Sequence, residues 1–280
     1  MNSQKVWYVT GASQGLGLAL VKKLLNEGYR VAATSRSAEL LRKSTGMETN
    51  DKEHFLPLEV DLTNPASIQQ SIRQTIDTFG QIDVVVNNAG YGMQGTVEES
   101  TEQQIRDIFT INVFATINVT QSALPYLRQQ RSGHIINISS VAGFAGAPGW
   151  AIYSATKAAV IAFSEVLAAD VKELGIKVTV VGPSGFRTGF LAKNSLVQAE
   201  SKIEDYKAVK NTQSRYSAMD GNQAGDPDKA AELFIALGEN PDPPLHLWLG
   251  TDALNRAAQK IGALNEELEK WKALSVAADF

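Results

Sequence analysis

The sequence predicts an α/β fold, with a doubly wound parallel sheet of about seven strands and helices on both faces. Two observations carry this. Short β-branched runs alternate with longer stretches of helical periodicity along the chain, the order that builds right-handed βαβ crossovers. Most of the runs are apolar on successive residues rather than on alternate ones, as strands covered on both faces must be. A length of 280 residues with 44% hydrophobic and 20% charged residues suits a globular chain with a large core.

The strand candidates, in order, are 6–10, 30–34, 54–60, 82–87, 133–139, 177–181 and 245–249. Helical patterns at 15–27, 65–79, 101–130, 151–174 and 226–238 separate them. No linker-like tract, repeat or shift of composition divides the chain, so residues 1–280 read as a single domain. The least regular part is 183–225, which is polar and lacks strand signals. A long segment of this kind inside a compact domain is expected to be a substrate lid, the alternative being a surface excursion with two short helices. At the end of the chain, 251–274 reads as a helix. Leu254, Ala257, Ile261, Leu264, Leu268 and Trp271 form one apolar stripe on it. The stripe is short for a coiled-coil seam and its span contains Gly262, so packing against the chain's own body is expected.

Composition narrows the function classes. A net charge of −4 leaves no dominant basic surface, so a nucleic-acid partner is not expected. With no cysteine there is no disulfide, thiolate metal site or cysteine nucleophile, and no metal is expected. No stretch reads as a membrane span or signal peptide, which makes a cytoplasmic protein the expectation.

Chemistry enters after the first strand, which runs into TGASQGLG. Gly11 allows a tight turn, Gly15 lets backbone approach a pyrophosphate, and Gly17 lets the helix pack close to the strand. The amides at the helix start would then face phosphates. The second strand ends in ATSRS, with Ser35 and Arg36 where an NAD site commonly carries an acidic residue. A guanidinium there would pair with a 2′-phosphate, so NADP(H) is expected over NAD(H).

YSATK places Tyr153 and Lys157 four residues apart, on one face of a helix. A free phenol ionises near pH 10, and a neighbouring ammonium is expected to lower that value and fit the group for proton transfer. Tyr206 and Lys210 have the same spacing, but no strand aims them. Tyr153 follows HIINISS, with Ser140 at the carboxyl end of a strand, where ligands of open α/β sheets bind. A hydroxyl there could hold a substrate oxygen beside the phenol. Of the neighbours Ser139 and Ser140, the one before VAG is chosen.

With TGASQGLG, NNAG at 87–90, INVFA at 111–115, Ser140 and YSATK, the chain resembles the short-chain dehydrogenase/reductase family over essentially its whole length. The resemblance implies a Rossmann-type sheet and a catalytic set of Asn112, Ser140, Tyr153 and Lys157. It implies that Asn112 holds a water linking Lys157 to solvent, and that Lys157 also binds the nicotinamide ribose. Ser13, Leu16, Asn88, Ala89, Gly90, Pro183 and Thr188 would join the cofactor site, and Asp61 would sit beside adenine. Ser184 stands where the family usually has glycine, which would shift the loop near nicotinamide. The C-terminal extension is similar to the branch that includes 17β-hydroxysteroid dehydrogenase-like proteins. A homodimer or homotetramer through 101–130 and 151–174 is also implied. Met93, Phe144, Pro148, Trp150, Phe186 and Phe190 suggest an apolar substrate cavity, ordinary core being the alternative. The implied activity is ketone or aldehyde reduction. A dinucleotide-sensing regulator and a related dehydratase or epimerase are the alternatives.

Overall fold

The computed structural model describes residues 5–46, 53–192, 195–200 and 202–280. Its sheet begins with strand β1, Val6–Val9. Around it lie β2 (Arg30–Ser35), β3 (Phe55–Glu59), β4 (Val84–Asn87), β6 (Gly133–Ile138), β7 (Ile176–Pro183) and β9 (His246–Leu249). They form one seven-stranded sheet in the order β3-β2-β1-β4-β6-β7-β9, and every neighbouring pair is parallel. The order reverses between β1 and β4, so a crevice opens at the carboxyl ends of these strands.

The apolar runs have the cause expected of them. Trp7 and Val9 point to one face, into a core with Leu20 and Leu24 of α1 (Gly15–Asn26) and Phe234 of α8 (Pro227–Glu239). Val6 and Tyr8 point to the other, against Ile68 and Ile72 of α3 (Pro65–Phe79) and Val119 of α5 (Ala115–Gln130). Helix α6 (Ala151–Val171) completes that layer through Leu167 and Val171. Contrary to the sequence reading, Ala151–Leu174 is long and apolar enough, by length and hydropathy, to cross a membrane. Here it packs on β7, with Val160, Ile161 and Val180 in one apolar cluster.

Several elements depart from expectation. Helix α2 (Ala38–Thr45) was not expected; Ser37 caps its start by accepting from Leu40 N, and Gly46 ends it in a left-handed conformation. The helix read over 101–130 is interrupted. After α4 (Glu102–Phe109) comes a π-turn, Thr110–Phe114, before α5 begins. Segment 183–225 is more ordered than its composition suggests. Its strand β8 (Leu196–Gln198) pairs with β5 (Gly92–Gln94), α7 spans Lys207–Met219, and Phe186 bridges to Gly225. Residues 193, 194 and 201 of that segment lie outside the described residues.

Helix α9, Thr251–Val276, overturns the expectation of body packing. Ala253 and Ala257 are buried, but Leu254, Ile261, Leu268 and Trp271 are exposed. The helix docks through its first turns on β9 and the turn Val141–Gly143 and then extends past the body.

Candidate active site

The crevice is a cleft of about 520 Å³. Of the anticipated site residues, Gly11, Ser13, Gly15, Leu16, Ser35, Arg36, Asp61, Asn88, Ala89, Gly90, Ser140, Tyr153, Lys157, Pro183 and Thr188 all line it. Gly17 and Asn112 stand behind its wall, each with a different task.

The glycine turn is locked to the end of β4. Thr10 Oγ1 accepts from the amides of Asn88 (3.0 Å) and Ala89 (3.1 Å). Asn88 Nδ2 donates to the carbonyls of Thr10 (2.9 Å) and Gly11 (3.1 Å). Gly11 has φ +64°, and a Cβ there would stand 2.8 Å from Ala89 Cα. A Cβ on Gly17 would strike Asn88 Nδ2 and stand 2.7 Å from Gly11 O. Gly17 therefore keeps room for the amide that fixes the turn. Gly17→Ala is expected to lower stability by about 1–3 kcal/mol through overpacking. Thermal melting checks this, and an unchanged midpoint would show that Asn88 can move aside.

At the other end of the turn, the Arg36 guanidinium is exposed and has no hydrogen-bond or ion-pair partner among the described residues. Beside it, Thr34 Oγ1 is buried without a partner among the described residues, while Ser35 Oγ accepts from Ser37 N at 3.1 Å. A cradle of backbone between glycines, ending at a cation with no partner among the described residues, fits a dinucleotide. Asp61 also borders this end. Thr63 donates to its carboxylate from both hydroxyl (2.7 Å) and amide (2.8 Å), holding it below the usual carboxylate range.

At the far end, Ser140 follows β6 and Tyr153 and Lys157 lie on the first turns of α6. Ser140 Oγ accepts from Ala142 N at 3.1 Å, and the same hydroxyl acts on the Tyr153 phenol to lower its pKa. Ser139 points away and donates to Lys157 O at 2.8 Å, which separates the two serines as expected. Lys157 Nζ donates to Ile138 O at 2.9 Å and lies 5.9 Å from the centroid of the Tyr153 ring. A Cβ on Gly90 would stand 3.3 Å from this ammonium.

The electrostatics differ from the sequence reading. Burial pushes the Tyr153 phenol up to about 12, a rise that the Ser140 hydrogen bond only partly offsets. Burial likewise pushes Lys157 down to about 8. In this pocket desolvation sets the direction, so the phenol is held protonated rather than made more acidic.

Asn112 lies in the π-turn, and its carboxamide is occupied. Oδ1 accepts from Tyr91 N (3.0 Å), while Nδ2 donates to Tyr91 O (3.0 Å) and Thr156 Oγ1 (3.1 Å). These bonds tie Asn112 to the chain leaving β4 and, through Thr156, to α6, and they leave Oδ1 a second lone pair. Tyr206, the rival tyrosine, is at the surface and donates to Glu98 at 2.7 Å, and Lys210 pairs with Glu204.

Trp150, Phe186 and Phe190 line the substrate end, as anticipated. Met93 is buried in the core behind it, Phe144 packs on Trp248, and Pro148 is exposed, so these three do not. The sequence reading missed Tyr91, Tyr216, Met219 and Gln223. Tyr216 packs on Trp150 at 5.0 Å between centroids, and Trp150 on Tyr153 at 5.4 Å. No spacing rule could place α7 over Trp150. Gln14, overlooked inside the glycine stretch, donates to Ser195 Oγ at 2.9 Å and joins the two walls of the cleft. Ser184 is fastened to the end of β9, its amide donating to Leu249 O at 3.1 Å.

A family model described as short chain dehydrogenase matches residues 5–198. The chain is 36% identical over 275 residues to oxidoreductase BOA17 of Botryotinia fuckeliana, covering 98% of this chain and 99% of that one. It is 38% identical over 198 residues to a 3-ketodihydrosphingosine reductase of Bacteroides thetaiotaomicron, covering 71% and 70% of the two chains. Among solved structures, a short-chain dehydrogenase from Streptomyces avermitilis superposes with a TM-score of 0.90 at 34% identity, covering all of both chains.

Proposed function

Because this chain belongs to the short-chain dehydrogenase family of oxidoreductases, we propose that it is an NADP(H)-dependent ketone or aldehyde reductase with Tyr153 as its proton donor. One observation carries the reading: a single cleft has the Arg36 guanidinium, unpaired among the described residues, at one end, and Ser140 and Tyr153, with Lys157 beside them, at the other.

NADPH, when bound, supplies the hydride that makes the new C–H bond at the carbonyl carbon. Ser140 holds the carbonyl oxygen by a hydrogen bond, and Tyr153 gives that oxygen its proton as the C=O double bond becomes a C–O single bond. The tyrosine is left as phenolate, which the Lys157 ammonium stabilises until the proton returns. Burial suits Tyr153 to this direction, since a phenol held protonated at neutral pH is ready to act as acid. Arg36 would bind the 2′-phosphate, and the Gly11 to Gly17 turn the pyrophosphate. Trp150, Phe186, Phe190 and Tyr216 would enclose an apolar ketone body, with 183–225 as the lid. The outer side of α6 carries exposed Ala155, Ala158 and Ala162 near-flush with solvent, a surface suited to close helix contact in a homodimer or homotetramer.

The test is NADPH oxidation by the purified protein against a panel of ketones and aldehydes. Turnover of at least one apolar ketone is expected. Tight NADPH binding with no turnover across the panel would identify a dinucleotide sensor instead.

A further inference from the structure

We propose that Gln223 reads a hydroxyl group on the substrate, so that the preferred substrate is a ketone or aldehyde with one hydroxyl on an otherwise apolar body. The inference rests on the reductase reading and narrows its substrate class.

Gln223 breaks the pattern of the segment that carries it. Asn222 and Ala224 on either side are exposed, as a surface loop should be, yet Gln223 is 2% exposed and lines the cleft. Its Nε2 and Oε1 are both buried with no hydrogen-bond partner among the described residues. Glutamine is mostly an outward residue, and buried carboxamides are ordinarily paired, because an unpaired one forfeits its bonds to water. A glutamine held in this state points to a partner that the chain itself does not supply.

The backbone turns it inward. Arg187 Nε and Nη2 donate to Gln223 O at 3.3 and 3.2 Å. Arg187 N donates to Gly225 O at 2.8 Å, and Gly225 N to Gly185 O at 3.0 Å. These bonds fasten 223–225 to the chain leaving β7, beside Phe186 of the substrate end. Gln223 Cγ lies along Gly185, 3.5 Å from where a Cβ on that glycine would stand. The side chain is thus positioned before a ligand arrives, which lowers the ordering cost of binding to it.

Its chemistry selects the ligand group. Among the described residues, Thr34, Trp150 and Gln223 line the cleft with buried, unpaired polar atoms. Thr34 lies at the Arg36 end, and Trp150 Nε1 only donates. Gln223 offers an acceptor and a donor together. A carboxylate would pair with Nε2 but set its charge against Oε1. An ammonium would pair with Oε1 and leave Nε2 unpaired. A hydroxyl accepts and donates through one oxygen, and it brings no charge against Trp150, Phe186, Phe190 and Tyr216. A plain ketone leaves the carboxamide unpaired, which is how a site of this kind rejects an analogue that lacks the group.

The test compares straight-chain methyl ketones of increasing length with the same ketones carrying a terminal hydroxyl. NADPH oxidation gives kcat/KM, and protection from thermal unfolding with NADP+ present gives binding without turnover. At the best length the hydroxylated ketone is expected to exceed its parent roughly tenfold in kcat/KM, chiefly through KM, since the bond is made before and during hydride transfer alike. Gln223→Met keeps the length of the side chain and removes both polar atoms. It should erase the preference, the parent gaining as the hydroxylated ketone loses, and it should hold or raise the thermal midpoint, because no paired group is lost. Gln223→Leu should do the same. Equal kinetics and equal protection for both ketones of every pair overturn the proposal. So does a preference that survives both substitutions, or a lowered midpoint, which would mark the carboxamide as structural. A fall in NADPH affinity with the ketone preference intact also overturns it, by placing Gln223 at the cofactor. Absence of turnover with every ketone counts instead against the reductase reading, and the protection measurements still decide whether Gln223 reads the hydroxyl.

Discussion

Tyr153→Phe is expected to lower kcat by about 10²–10⁴, the usual contribution of a positioned general acid, while the dissociation constant for NADPH stays within about twofold. The ring keeps its contacts with Trp150 (5.4 Å) and Phe190 (5.9 Å), so the pocket is preserved and only the transferable proton is lost. Stopped-flow turnover and fluorescence titration of NADPH measure the two effects separately. Tyr206→Phe is the control. That residue shares the four-residue spacing to a lysine but is bonded to Glu98 at the surface, and its loss should leave kcat unchanged. A Tyr153→Phe protein that retained most of its activity would sink the mechanism. The pH profile gives a second check. Lys157 loses its proton near 8, so the cation that stabilises the phenolate disappears above that point. The rate of reduction should therefore fall as pH rises through about 8, with Tyr153 itself still protonated.

Arg36→Asp is expected to reverse cofactor preference. A charged hydrogen bond to phosphate is worth about 1.5–3 kcal/mol, or roughly ten- to a hundredfold, and the introduced carboxylate adds repulsion of the 2′-phosphate. The same carboxylate can accept from ribose hydroxyls, so kcat/KM with NADH should rise as that with NADPH falls. The guanidinium is free in this structure, so the substitution breaks no internal contact and the fold should melt as before. Steady-state kinetics with both cofactors decides. Equal use of NADPH and NADH by the natural protein would reduce Arg36 to a surface residue.

What was readable in the sequence follows physical range. All seven strands of the main sheet were found, because burial on both faces writes itself into consecutive apolar residues such as Val84, Val85 and Val86. The turn at Gly11, Gly15 and Gly17 and the Tyr153–Lys157 pair were found because their partners are close in sequence. That Ser139 and Ser140 point opposite ways was readable from the alternation of extended chain, while the choice of Ser140 rested on the VAG that follows it. Contacts made across the fold were not readable. Tyr216 reaches Trp150 from α7, and Gln14 meets Ser195 from the opposite wall. The ionisation of Tyr153 was misjudged for the same reason: Lys157 is visible at four residues' distance, but burial is a property of everything packed around the pair. At α9 the periodicity was read correctly and the packing wrongly, since an apolar stripe does not record how far along the helix the body reaches: Ala257 is buried, but Ile261, Leu268 and Trp271 are exposed.

The π-turn at Thr110–Phe114 bears on how this chain tolerates change in length. An α-helix repeats every 3.6 residues, so a wider turn shifts the angular phase between the segments on either side of it. Helix α5 keeps Val119, Ala123 and Leu127 on the sheet, and α4 keeps Ile108 inside. Both sets are aligned with the body only because the turn between them is wide. Removing one residue there would not merely shorten a loop. It would rotate one helix by about 100° relative to the other, leaving either Ile108 or the α5 row facing water. The count of residues between Ile108 and Val119 is thus fixed by the need to keep both ends in phase.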